Sequence, residues 1–207
     1  YSVITDFNRL YADHPGDIQV LDLTMDNCTI TFTAQIRHYV GESGQDMRGC
    51  GLWSINVPKQ VAAFHPTVSL VFAAMMEQAD QRAETTDPWT NVLDPEWQLH
   101  QLDAFGKYTT ALGSTGAPVL WADVPVMRFM VRNLPWLSDD PARTAALNQE
   151  IATLDAQRAD VQRLDYASHL NRPGNAIDTS VRPDGIHLTD AAADFMVGKW
   201  LIPLLVA

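Results

Sequence analysis

Apolar positions along the chain change their period several times, and each change marks an element. Val3, Phe7, Leu10 and Tyr11 recur at helical spacing, predicting a helix over Ser2–Ala12 that His14-Pro15-Gly16 ends sharply. Ile18, Val20, Leu21 and Leu23 then predict a strand over Asp17–Met25. A polar loop containing Gly and Cys runs from Asp26 to Trp53, with Thr29–Tyr39 suited to pairing as an extended segment. Val57–Phe64 reads as a short helix stopped by Pro66, and Thr67–Ala74 as a strongly apolar strand. Glu77–Asn91 is polar and irregular. Asp94 and Pro95 are an N-cap and a first-turn proline, opening a helix that Gly113 ends after Leu112. Pro118–Ala122 is the next strand, and Asp123–Asp140 a second irregular stretch. Pro141 opens a helix to Arg158, Val161–Tyr166 is a short strand, and His169–Pro183 is loop. A last helix runs from Thr189, a good N-cap, to Leu201.

Helices alternating with buried-type strands predict a parallel sheet covered on both faces, an α/β sandwich. No repeat or linker divides the sequence, so residues 1–207 read as a single domain. The first predicted element is a helix, whereas a doubly wound sheet places a strand before its first helix. The expectation is a first strand upstream of Tyr1.

Composition narrows the partners. The 207 residues are 46% hydrophobic, enough for a buried core. Lys and Arg number 14 against 25 Asp and Glu, without the basic cluster that tracks a phosphate backbone, so nucleic acid is excluded as a partner. No run reaches the roughly 20 apolar residues of a membrane-spanning helix. No signal peptide opens the sequence and residue 1 is not Met, so it reads as a processed protein or an excised piece. In an exported protein Cys28 and Cys50 would form one disulfide, worth about 3 kcal/mol in the chain-entropy view. In a cytosolic protein they would be two buried thiols, and two cysteines alone do not decide. His14, His38, His65, His100 and His169 have no metal-site spacing, so neither a metal nor a cofactor is expected.

The chemistry concentrates in Arg182-Pro-Asp-Gly-Ile-His-Leu-Thr189. Three residues apart in a turn, Asp184 and His187 can face one pocket. The aspartate would accept the imidazole Nδ1–H and leave Nε2 to deprotonate a hydroxyl, with Gly185 allowing the tight backbone between them. The plainer alternative is a turn-capping aspartate beside an incidental histidine. Glu77 and Asp80 follow a strand, where α/β sites gather, and would bind substrate hydroxyls or form a solvated turn. Arg182 would clamp an acidic group or form a structural ion pair. Among the tryptophans, Trp89 and Trp136 lie in irregular stretches and are the candidates for a sugar-stacking platform.

The block Arg182–Thr189, followed by an alanine-rich helix ending in Trp200-Leu-Ile-Pro203, resembles the last signature block of the SGNH (GDSL-like) hydrolases. The resemblance extends over nearly the whole chain and is closest to the SGNH domains fused behind actinobacterial membrane acyltransferases. Asp13-His-Pro-Gly16 with Val20–Cys28 is similar to the family's first helix, second strand and second block. Phe64-His-Pro to Glu77 resembles the strand leading to its third block. Trp89 with Leu93-Asp-Pro95, and Gly116-Ala-Pro-Val-Leu-Trp121, resemble the following helix and strand. Pro141-Ala-Arg143 with Leu147-Asn148 resembles the penultimate helix.

The resemblance implies a three-layer α/β sandwich with a flavodoxin-like parallel sheet, order 2-1-3-4-5, and a Ser-His-Asp triad in which Asp184 and His187 are two members. It implies O-acyl transfer or ester hydrolysis on cell-surface glycan or lipid hydroxyls outside the cytoplasmic membrane. The partners would be an acyl donor, a hydroxyl acceptor and an upstream transmembrane acyltransferase domain. That location favours a Cys28–Cys50 disulfide. Three departures stand against the pattern. The Gly-Asp-Ser nucleophile motif would fall before Tyr1, and Ser2 is about one turn too late to replace it. The glycine of block two, an oxyanion donor in the family, falls on Asn27. The asparagine of block three falls near Met76 or Glu77, leaving Asn27, Glu77 and Arg182 as the oxyanion or substrate-binding candidates. A non-catalytic glycan- or lipid-binding domain with degenerate oxyanion blocks is the rival expectation.

Overall fold

Among the described residues two three-stranded sheets and one two-stranded sheet form. The structure, a computed structural model, describes residue 7 and residues 18–130 and 134–206. The strands β3 (Ser69–Val71), β5 (Val119–Ala122) and β6 (Val161–Leu164) make a parallel sheet in the order β3-β5-β6. The polar strands β1 (Gln35–Arg37), β2 (Gln45–Asp46) and β4 (Asp80–Arg82) make an antiparallel sheet in the order β2-β1-β4. Between and after them lie α1 (Trp53–Phe64), α2 (Met75–Gln78), α3 (Pro95–Leu112), α4 (Pro141–Gln157) and α5 (Tyr166–Leu170). A two-stranded hairpin, β7 (Asn171–Arg172) and β8 (Ala176–Ile177), precedes α6 (Asp190–Phe195).

Alternation along β5 places helices on both faces of the parallel sheet. Val119 and Trp121 point into the cluster formed with Trp53 and Val57 of α1, Phe105 of α3 and Leu147 of α4. Leu120 points the other way, against Phe7, Leu164 and Leu201, while Ala122 meets Tyr166, Leu188 and Ala193. Trp121 is fully buried, and its indole N–H donates to Thr109 Oγ1 at 3.0 Å, so no polar atom offsets the burial. Side chains of this size contribute roughly 1.5–3 kcal/mol each when removed from water.

The caps anticipated from sequence are in place. Asp94 accepts the Glu96 N–H and Asp140 the Ala142 N–H, both at 2.9 Å, with Pro95 and Pro141 following. Thr189 caps α6 through the Ala192 N–H, and His65 closes α1 in the left-handed region at φ 54°. The helix does not end at Leu201 as its pattern suggested. A π turn (Met196–Leu201) leads into α7 (Ile202–Val206), which carries Pro203. In an unbroken α-helix that ring would press on the Lys199 carbonyl, and the wider turn ahead of it relieves the contact.

Other expectations change. The predicted Ser2–Ala12 helix lies outside the described residues apart from Phe7, which is helical. Asp17–Met25 forms no strand in its described part. Leu21, Leu23 and Met25 are half-buried while Asp22 and Thr24 are exposed, which is strand periodicity, but no described strand pairs with them. Alternation supplies only one face of a strand; the ladder needs a neighbour. Glu77–Asn91, expected to be irregular, contains the end of α2 and all of β4. Its polar side chains are partnered across the sheet, Asp80 by the Arg37 ion pair and Arg82 by a hydrogen bond to Gln35, so a polar segment pairs as a strand. Tyr166 begins α5 instead of ending β6, because Asp165 caps the helix through the Ser168 N–H.

Candidate active site

The Asp184–His187 turn sits between the C-terminal end of β6 and α6, and its shape follows from alternate anchoring. Ile186 packs on the edge of the main core and Leu188 is buried beside Tyr166 and Ala193. His187, between them, faces outward with 58% of its side chain exposed. Asp184 is shaped around it. One carboxylate oxygen accepts the N–H groups of Ile186 and His187 at 2.9 and 2.8 Å, and the other lies 2.6 Å from His187 Nδ1. Burial alone would raise the Asp184 pKa, but the His187 ring and the two backbone donors together hold it below the usual carboxylate value. An ionised aspartate accepting Nδ1–H fixes the tautomer that leaves Nε2 as an acceptor.

Gly185 is required here on two counts. Its φ is +84°, and a Cβ would lie 1.8 Å from the Arg128 carbonyl oxygen. That close approach is the brace of the turn, since Arg128 N–H donates to the Gly185 carbonyl and Met130 N–H to the Asp184 carbonyl.

His187 lines a cleft of about 1020 Å³. One wall is the extended segment Ile18–Cys28 and the other is Val68–Ala74, containing β3; Phe72, Tyr166 and Leu188 close the end near His187. The cleft follows an open strand edge. Ser69 N–H donates to the Pro118 carbonyl at 3.0 Å, so Ser69 and Val71 point their backbone groups at β5. Val68, Leu70 and Phe72 therefore point theirs away from it, and no described strand pairs with that edge.

Asn27 lies on the same cleft, exposed, with φ 55°. The left-handed conformation suits glycine best and asparagine next, which gives a physical reason why either residue type can occupy this turn. Its neighbour Cys28 is bonded to Cys50, with the Cα atoms 5.4 Å apart. The choice between a disulfide and two thiols is thus resolved as a disulfide.

Glu77 borders the cleft but is only 2% exposed. Its oxygens accept the Ile30 N–H at 2.5 Å, the Thr31 hydroxyl at 2.7 Å and Gln101 Nε2 at 3.0 Å. Burial pushes its pKa up, against the pull of these donors. Its oxygens are engaged by the protein, and an acceptor-only carboxylate supplies no oxyanion donor. Asp80 is likewise taken, held by Arg37 and Arg143 at 2.7 Å each.

Arg182 is fully buried and does not line the cleft. Among the described residues no carboxylate forms the ion pair anticipated as its structural role. Its guanidinium donates to the carbonyls of Val126 and Leu170 at 2.7 and 3.1 Å and to Asn171 Oδ1 at 3.2 Å. It thereby ties the Asp184–His187 segment to the loop after β5 and to the junction of α5 and β7. The guanidinium carbons of Arg37 and Arg82 lie 4.8 and 4.4 Å from the Trp89 ring centre, and Trp136 stacks on His38 at 4.3 Å. Neither tryptophan lines the cleft.

Two contributors escaped the sequence reading. Gln101 gave a signal, being a polar residue in the middle of the buried stripe Trp97, Ala104, Phe105 and Tyr108 on α3. The Arg128–Met130 brace gave none, because its role depends on backbone atoms alone. Among the described residues no group of three or more His, Cys, Asp or Glu side chains could hold a metal ion, and no helix is long and apolar enough to cross a membrane. No protein-family model and no curated protein matches the chain.

Proposed function

We propose that this chain is an SGNH-type domain for O-acyl transfer or ester hydrolysis, with His187 as general base and Asp184 as the residue that orients it. The observation that carries the reading is the 2.6 Å contact of Asp184 with His187 Nδ1, on a histidine that faces a cleft. An incidental loop histidine needs no partner on that nitrogen. The cleft supports the reading further. In it, the nucleophilic serine belongs to a strand that fills the space between Ile18–Met25 and β3 and pairs with the backbone groups of Val68, Leu70 and Phe72. The sheet then has the order 2-1-3-4-5.

The reaction follows from these positions. The serine Oγ bonds to the acyl carbon as its proton passes to His187 Nε2, and the bond to the donor's leaving oxygen breaks as that oxygen takes the proton. In the second half a glycan or lipid hydroxyl, or water, attacks the acyl-serine. His187 takes the incoming proton and returns one to the serine. Asp184 stays ionised throughout and stabilises the imidazolium. The N–H of Asn27 serves as an oxyanion donor, and the loss of a second donor at the Glu77 position would cost about 10²–10³ in rate without abolishing it. The disulfide favours a site outside the cytoplasmic membrane; attachment to a membrane acyltransferase domain is what the sequence resemblance adds to the proposal.

One feature favours the rival reading of a non-catalytic glycan- or lipid-binding domain: the position expected to supply the second oxyanion donor carries only acceptors. The full gene product decides between them. It should release p-nitrophenol from p-nitrophenyl acetate, and His187→Ala should remove nearly all of that turnover. Turnover that survives His187→Ala unchanged refutes the assignment of the base.

A further inference from the structure

We infer that Glu77 is a positioning residue that sets the place of the Asn27 turn at the site; this rests on the acyl-transfer reading above. The Asn27 turn is an exposed excursion closed on itself by one backbone hydrogen bond, from the Cys28 N–H to the Met25 carbonyl at 3.3 Å, with Asn27 in the left-handed region. What ties it to the rest of the protein lies immediately after it. Cys28 is bonded to Cys50, and the Trp53 indole N–H donates to the Ile30 carbonyl at 3.0 Å. Glu77 supplies the grip from the sheet side, taking the Ile30 N–H on one oxygen and the Thr31 hydroxyl on the other.

Glu77 is itself held from behind. It sits in α2, directly after β3, and Gln101 of α3 donates both to its carboxylate and to its backbone carbonyl at 3.0 and 3.1 Å. The next residue, Gln78, is tied to α4, its carbonyl accepting from Arg143 at 2.7 Å and its side chain from Thr144 at 3.2 Å. The turn therefore takes its position from the helices that cover the sheet. A carboxylate suits this post because both of its oxygens accept; a glutamine would turn its N–H₂ against the Ile30 N–H on one side or Gln101 Nε2 on the other, both of which donate.

The placement of an oxyanion donor enters the rate directly, because the hydrogen bond counts only at the position where charge develops. Displacing Asn27 should lower kcat and leave ground-state binding, hence KM, nearly unchanged. In the full gene product, Glu77→Gln is expected to lower kcat for p-nitrophenyl acetate by about 10–100-fold with KM changed by less than about twofold. Hydrogen exchange at the amides of Ile30 and Thr31 should speed up in the same variant. Thr31→Val, which removes one of the two bonds without placing a new donor against Glu77, should lower kcat by roughly 3–10-fold and decides the matter if Glu77→Gln does not fold. Unchanged kcat in the folded variants overturns the positioning role, whatever the exchange shows, and so does unchanged exchange. If His187→Ala retains full turnover, the acyl-transfer reading falls and takes this inference with it. If turnover depends on His187 and ignores both Glu77→Gln and Thr31→Val, only the positioning role falls.

Discussion

Glu150 offers the sharpest test of the interior. It lies on α4, 5% exposed, and among the described residues neither carboxylate oxygen has a hydrogen-bond partner. Burial, with the negative charge of Glu77 adding to it, raises its pKa from 4.5 to about 9. The unfolded chain releases this proton near pH 4.5, whereas the folded chain keeps it to much higher pH. The group's contribution to stability is therefore fully present below pH 4.5 and is lost as pH rises towards 9. At about 1.4 kcal/mol per pH unit, roughly 3 kcal/mol is already lost at pH 7, an upper bound that relaxation of the site reduces. Glu150→Gln keeps the shape and cannot ionise. It should match the parent near pH 4.5 and exceed it by about 1–3 kcal/mol at pH 7, with a larger gap at pH 8.5. At about 2–4 °C per kcal/mol for a domain of this size, thermal unfolding resolves the difference. Titrations of groups that do not couple to Glu150 are common to both proteins and cancel in the comparison; Glu77, whose charge acts on Glu150, is the exception. A gap that stays constant between pH 5 and pH 8.5 would refute the reasoning, and so would a variant less stable than the parent at neutral pH.

Two further perturbations probe the turns. Gly185→Ala introduces a Cβ against the Arg128 carbonyl at a positive φ, so it should cost about 2–4 kcal/mol in urea unfolding and displace His187; an unchanged midpoint would mean that the brace yields freely. Replacing Cys28 and Cys50 by alanine opens a link between residues 22 apart and should cost about 3 kcal/mol. Faster hydrogen exchange centred on Asn27 and its neighbours, with the parallel sheet still protected, is the expected pattern.

What could be read from the sequence divides along a physical line. The long helices α3 and α4 were legible to within a residue, since proline and aspartate mark their starts and apolar spacing runs through them. Strands β3 and β5 were legible because buried parallel strands are nearly continuous apolar runs, and β6 because the buried Val161 and Leu164 bracket its polar centre. Strand β4 was not, as Asp80 and Arg82 owe their place to partners on β1 that are more than 40 residues away in sequence. The same limit applied at the site. The spacing of Asp184 and His187 with an intervening glycine declared a turn, and the geometry of that turn matches. Glu77 and Arg182 were marked as polar residues in suggestive places. Whether such a residue faces substrate or grips a neighbouring loop depends on the packing of other elements, and no local pattern encodes that.

The Asp184–Gly185 step also bears on how the protein ages. Aspartyl-glycyl sequences are chemically fragile, because an unhindered glycine nitrogen can close onto the aspartate side chain and, through a cyclic imide, leave an isoaspartate. Here that nitrogen is engaged by the Arg182 carbonyl at 2.9 Å, while the carboxylate is fastened by the His187 ring and two backbone N–H groups. The contacts that orient the imidazole thus also keep the reactive pair apart. Damage at this step should accumulate in protein that has unfolded, and a molecule that carries it would have lost the carboxylate geometry its histidine depends on.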